Sequence, residues 1–83
     1  MKVTIRYETK DGKRHTMKLK DARSLVNHAH PNREVYILMK DLSMYTGHTK
    51  GTLDDEGCII LNNKGTIWSL EIKLDAILGW KYK

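Results

Sequence analysis

Val3-Thr4-Ile5-Arg6-Tyr7-Glu8-Thr9-Lys10-Asp11-Gly12-Lys13-Arg14-His15-Thr16-Met17-Lys18-Leu19 decides the fold. Val3, Ile5 and Tyr7, then His15, Met17 and Leu19, fall on one parity on either side of Lys10-Asp11-Gly12, which is the pattern of a β-hairpin. A two-residue Asp11-Gly12 turn would set Ile5 opposite Lys18 and mix the two faces. A three-residue loop with Gly12 left-handed in a bulge pairs Ile5 with Met17, Val3 with Leu19 and Tyr7 with His15, which keeps one face apolar and predicts that it packs inward. The other face then presents Lys2, Thr4, Arg6, Glu8, Arg14, Thr16, Lys18 and Lys20.

The net charge of the 83-residue chain is +5. Residues 1–20 carry seven basic groups (Lys2, Arg6, Lys10, Lys13, Arg14, Lys18, Lys20) against Glu8 and Asp11, which accounts for all of it. Residues 21–50 contribute +1 and residues 51–83 contribute −1, so the remainder is nearly neutral.

Downstream, Asp21 offers an N-cap, and Ala22, Leu25, Val26 and Ala29 follow at helical spacing before Pro31, which predicts a short helix over 21–30. Val35 to Met39 and Cys58 to Leu61 are apolar on both parities, the mark of strands covered on both faces. Ser43 to Gly51 reads as a strand bent near Gly47 or a mobile loop, Asp54-Asp55-Glu56-Gly57 as a tight turn, and Asn62-Asn63-Lys64-Gly65 as a further hairpin turn. Trp68, Leu70, Ile72 and Leu74 alternate as a half-buried strand. A single turn follows at Leu74 to Ile77, then a closing edge strand through Leu78, Trp80 and Tyr82. Trp68 and Trp80 fall on apolar parities and are expected in the core.

The expected fold is α+β and mostly β: one domain over 1–83, with a basic β-hairpin (1–20), a short helix (21–30) and a β-meander (34–83). Its sheet is a strongly curved antiparallel or barrel-like one of five to six strands. One helix covers only part of a sheet, so the doubly apolar strands also predict a homodimer. Stability on the order of 5 kcal/mol is expected at this length. No apolar run approaches the ~20 residues of a membrane span and the N-terminus alternates, so a cytoplasmic protein without membrane association is expected.

Val35 to Leu61, with Lys40-Asp41, Tyr45-x-Gly47 and a turn into Ile59-Ile60-Leu61, resembles the first motif of Sm-like small barrels. That resemblance implies a small barrel. The second motif is absent and the N-terminal hairpin is foreign to the family, so no binding residues carry over.

For function, Lys2, Arg6, Arg14, Lys18 and Lys20 are the candidate contacts to nucleic acid or another polyanion, since cations on a rigid ribbon can meet successive phosphates. Tyr45, His48 and Lys50 form a candidate secondary contact loop. Tyr7, the only aromatic near the basic face, points to its opposite side, which disfavours sequence-specific single-strand binding. His28-x-His30 sits where histidines favour the carbonyls of a helix C-terminus, and without a third ligand at a recognisable spacing no metal site is expected. Gly47 to Thr52 is not a phosphate loop, because Lys50 precedes Gly51 where the Walker pattern needs Gly-Lys followed by Ser or Thr. The three adjacent acids lack calcium-loop spacing, and the lone Cys58 reads as a buried thiol. No catalytic, cofactor or metal residues are expected. The chain reads as a small non-enzymatic binding module. The alternative is a protein-interaction or inhibitor protein, of the kind phages or mobile elements encode, docking on an acidic protein surface; a small ribonuclease-like enzyme is a third reading.

Overall fold

Turn chemistry sets the hairpin. In the computed structural model, which describes residues 2–63 and 69–83, β1 (Lys2–Glu8) and β2 (Arg14–Lys20) pair antiparallel. The Thr9 N–H donates to the Lys13 carbonyl and the Gly12 N–H to the Thr9 carbonyl, both at 2.9 Å. Gly12 has φ +82°, the left-handed bulge position that glycine takes without a Cβ penalty. The Asp11 carboxylate accepts from the Thr9 hydroxyl and the Lys13 N–H, and these bonds hold its carboxyl below the ordinary carboxylate range. Val3 therefore faces Leu19, Ile5 faces Met17 and Tyr7 faces His15, in the expected register.

Asp21 caps a turn, not a two-turn helix. Its carboxylate accepts from the Ser24 N–H at 2.9 Å, and a 3-10 turn runs only over Ala22–Leu25. Val26 is already extended and Asn27 is left-handed at φ 53°, with its N–H donated to the Gly51 carbonyl at 3.0 Å. One turn buries Leu25, and the irregular leg after it carries His28 inward. The helical spacing expected over 21–30 is thus met by a 3-10 turn plus an irregular leg.

The remaining strands are β3 (Val35–Met39), β4 (Met44–Gly47), β5 (Cys58–Asn62), β6 (Ser69–Lys73) and, after a 3-10 turn at Leu74–Ala76, β7 (Ile77–Tyr82). A five-stranded sheet has the order β1-β2-β7-β3-β4, and β5-β6 form a second sheet. The last strand is the central one, not a closing edge, and by inserting between β2 and β3 it breaks the expected meander over 34–83. Among the described residues seven strands form two antiparallel sheets and not a closed barrel, so neither the barrel-like expectation nor the barrel implied by the Sm-like resemblance is met. The sheets are tied together where His48 and Asn62 exchange backbone bonds of 2.7 Å.

The core lies between the sheets and gathers Leu25, Val35, Ile37, Ile59, Leu61, Ile72, Ile77 and Trp80. Val35, Ile37, Ile59 and Leu61 are fully buried within one chain. On the other parity Leu38 and Cys58 are buried while Tyr36 and Ile60 are only half-buried, so one face of these strands is fully covered within the chain and the second face in part. Trp80 is in the core as expected; Trp68 and half of the Asn62–Gly65 turn lie outside the described residues. Among the described residues, no helix is long and apolar enough to cross a membrane.

The hairpin meets this body through one registered pair, Lys20 with Trp80. Gly79 makes the approach possible: a Cβ there would lie 2.8 Å from Leu19 Cβ and 3.0 Å from the Lys20 carbonyl oxygen. Beyond that junction the hairpin leaves the core, and Tyr7 is 43% exposed near its tip.

Candidate nucleic-acid interface

Directly opposed residues of an antiparallel pair share a face. The pairs Lys2 with Lys20, Thr4 with Lys18, Arg6 with Thr16 and Glu8 with Arg14 therefore gather all five sequence-predicted cations on one side of β1–β2, and all five are exposed. A rise of about 3.4 Å per residue spaces same-face neighbours along a strand about 7 Å apart. Glu8 is the one acidic residue of these two strands.

The side on which this face lies was not foreseen. Lys20 is opposite Trp80, and Trp80 is opposite Ile37, so the basic face continues the core side of the five-stranded sheet and overhangs beyond it. The apolar face of the hairpin lies on the reverse side, where only Leu19, seated against Gly79, is buried. Val3, Ile5 and Met17 are half-buried, and Tyr7 and His15 stack at 5.2 Å in the open. The inward packing expected of that face is corrected accordingly. Its direction depends on the β2–β7 pairing, which the hairpin's own register does not determine.

At the base of the basic face stands an aromatic cluster that sequence reasoning missed. Lys20 Nζ lies 5.2 Å from the Trp80 ring centre and 4.9 Å from that of Tyr82, and the Arg33 guanidinium carbon lies 4.4 Å from Tyr82. His30 meets the same ring edge-on at 5.6 Å. With Ser24 and His28 these residues line a depression of about 350 Å³. An aromatic ring therefore does stand on the basic side. Tyr82 is positioned by a partly buried relay: the His28 Nε2–H donates to the Thr49 carbonyl at 2.7 Å, and His28 Nδ1 and the Tyr82 hydroxyl share a hydrogen bond of 3.0 Å. The carbonyl accepts only, so Nε2 carries a proton. The 3-10 turn ends at Leu25, whose carbonyl accepts from the His28 N–H at 3.4 Å, so the helix C-terminus expected at the His28–His30 pair falls earlier in the chain. The only advance signal was the shared parity of Trp80 and Tyr82.

The secondary contact residues divide. Tyr45 lies on β4, opposite Ile37, at the other edge of the sheet from β1, so the fold does not bring it to the hairpin. His48 and Lys50 line a cavity of about 670 Å³ with Pro31, Asn32, Thr49, Asn62 and Asn63. The segment 30–33 contributes His30 and Arg33 to the Tyr82 depression and Pro31 and Asn32 to this cavity. Between His48 and Lys50 the loop is anchored at Thr49, which is 2% exposed.

The expected tight turn forms at Asp54, whose carboxylate accepts from the Glu56 N–H at 2.9 Å and the Cys58 N–H at 2.8 Å, with Gly57 left-handed. Cys58 is buried as expected, and potential ligand atoms of Asp54, Cys58 and Glu71 fall within 4.8 Å of one another. Burial, reinforced by these carboxylates, pushes the thiol above its ordinary value. The thiolate, the reactive form, is scarce at neutral pH. A thiol reagent at pH 7 should modify the native protein slowly and the unfolded chain fully; rapid native modification would contradict this placement.

No protein-family model, curated protein or solved structure matches this chain.

Proposed function

We propose that this chain is a non-enzymatic nucleic-acid-binding module that lays the basic face of its hairpin arm along a phosphate backbone. The observation that carries this reading is the gathering of Lys2, Arg6, Arg14, Lys18 and Lys20 on one exposed face of two paired strands. Lys20 leans on the Trp80 and Tyr82 rings, which leaves four cations at the front. Tyr82, with Arg33 and Lys20 close to its ring, supplies a surface against which a base at the end of the track can rest.

The test is fluorescence anisotropy of a labelled short DNA duplex titrated with the protein at several salt concentrations. Neutralising four phosphates gives a log–log slope of about −3.6. Affinity independent of salt overturns the reading.

The half-exposed apolar reverse face favours a second reading, in which the arm docks on an acidic protein surface as an interaction or inhibitor protein. Capture from nuclease-treated lysate separates the two: a partner that survives nucleic-acid removal supports docking on protein, and loss of every partner supports nucleic acid.

A further inference from the structure

An edge strand presents a row of backbone donors and acceptors to any strand that can pair with it. The five-stranded sheet has two edges. β4 is four residues long, and the chain just beyond it is bridged to the second sheet through His48 and Asn62. β1 is seven residues long, contains neither proline nor bulge, and pairs only with β2 among the described residues.

Which groups face out of that edge follows from the turn. Thr9 donates its N–H to Lys13. Bonded and non-bonded pairs alternate along an antiparallel ladder, so Tyr7, Ile5 and Val3 direct their N–H and C=O toward β2, while Lys2, Thr4, Arg6 and Glu8 direct theirs outward.

We propose that β1 is the contact between two copies of this chain, paired antiparallel about a two-fold axis at Ile5. In this register Lys2 faces Glu8 of the second copy, Thr4 faces Arg6, and Ile5 faces its own equivalent. Each residue of the Lys2–Glu8 and Thr4–Arg6 pairs is one whose backbone points outward, so the bonded pairs coincide with the free groups. A shift by one residue would set outward groups against inward ones and basic side chains against apolar ones.

Charge favours the same register. Within one copy Lys2 is opposite Lys20, a like-charged pair, and Glu8 is the lone acid among the cations. Neither Lys2 nor Glu8 has an ion pair among the described residues. The dimer supplies both at once, twice over by symmetry. It also extends the apolar row, setting Val3 beside Tyr7 of the second copy. The axis stands perpendicular to the joined sheets, so both basic faces look the same way.

Sedimentation equilibrium without nucleic acid tests this independently of the binding reading. The wild-type protein should approach twice the chain mass at about 100 μM, as expected of a contact this small. Lys2→Glu or Glu8→Lys alone should weaken dimerisation about tenfold, and the double exchange K2E/E8K should restore it. Thr4→Pro removes an outward donor but no bond to β2, so it should give a folded monomer by circular dichroism. A wild-type protein that stays monomeric at that concentration overturns the proposal, as does a dimer indifferent to the single charge changes. If Thr4→Pro fails to fold, the charge exchange decides.

Discussion

A triple reversal, Arg6→Glu with Arg14→Glu and Lys18→Glu, should abolish duplex binding and flatten its salt dependence while the protein stays folded. All three side chains are exposed on one face of the hairpin, opposite Thr16, Glu8 and Thr4. Most such surface changes cost no more than about 0.5 kcal/mol. Arg14→Glu sets like charges opposite each other and adds about 0.2–1 kcal/mol. The substitutions take net charge from +5 to −1, so a control of equal charge is needed. Arg23→Glu, Lys40→Glu and Lys73→Glu change three exposed residues of the body and also bring it to −1. Retained binding in the control with loss in the hairpin variant locates the contact on the arm. Equal loss in both would reduce the effect to net charge and discard the face as its cause.

The second large effect is on stability. Trp80 is 1% exposed, and its indole N–H donates to the Asp21 carbonyl at 3.0 Å and to the Ser24 hydroxyl at 2.9 Å. Its ring meets Tyr82 edge-on at 4.8 Å and His28 at 5.5 Å. Trp80→Ala removes packing on β7, the strand that joins the hairpin to β3, and leaves a cavity, at a cost of about 3–5 kcal/mol. A chain of this length has about 4–12 kcal/mol in total, so urea denaturation should find the variant close to unfolding. An unchanged urea midpoint would show that the tryptophan does not anchor the core.

The hairpin was legible because its determinants are local: Asp11 and Gly12 demand one turn, and the parity of Val3 to Leu19 accepts one register. β7 was not, because alternation at Leu78, Trp80 and Tyr82 reports which face is covered and is silent on which strands lie alongside. The segment 21–30 misled for a related reason. Its apolar spacing suits a helix, yet Asn27 turns left-handed to bond Gly51, and the inward positions are filled without further helical turns. The site divides along the same line. Five cations on one face follow from period-two alternation, whereas the Tyr82 cluster draws on Lys20 from β2 and on His30 and Arg33 from the 30–33 segment, which only the completed sheet brings beside β7.

The arm's attachment through the single pair Lys20–Trp80 gives the hairpin the mechanics of a lever with a short fulcrum. Load applied to the cations near its tip is transmitted to one rung of backbone bonding over Gly79, beside the indole that organises the core. Grip at the tip and cohesion of the body are therefore mechanically linked. The junction is where strain would first register as faster amide exchange at Lys20 and Trp80, well before β3 or β5 opened.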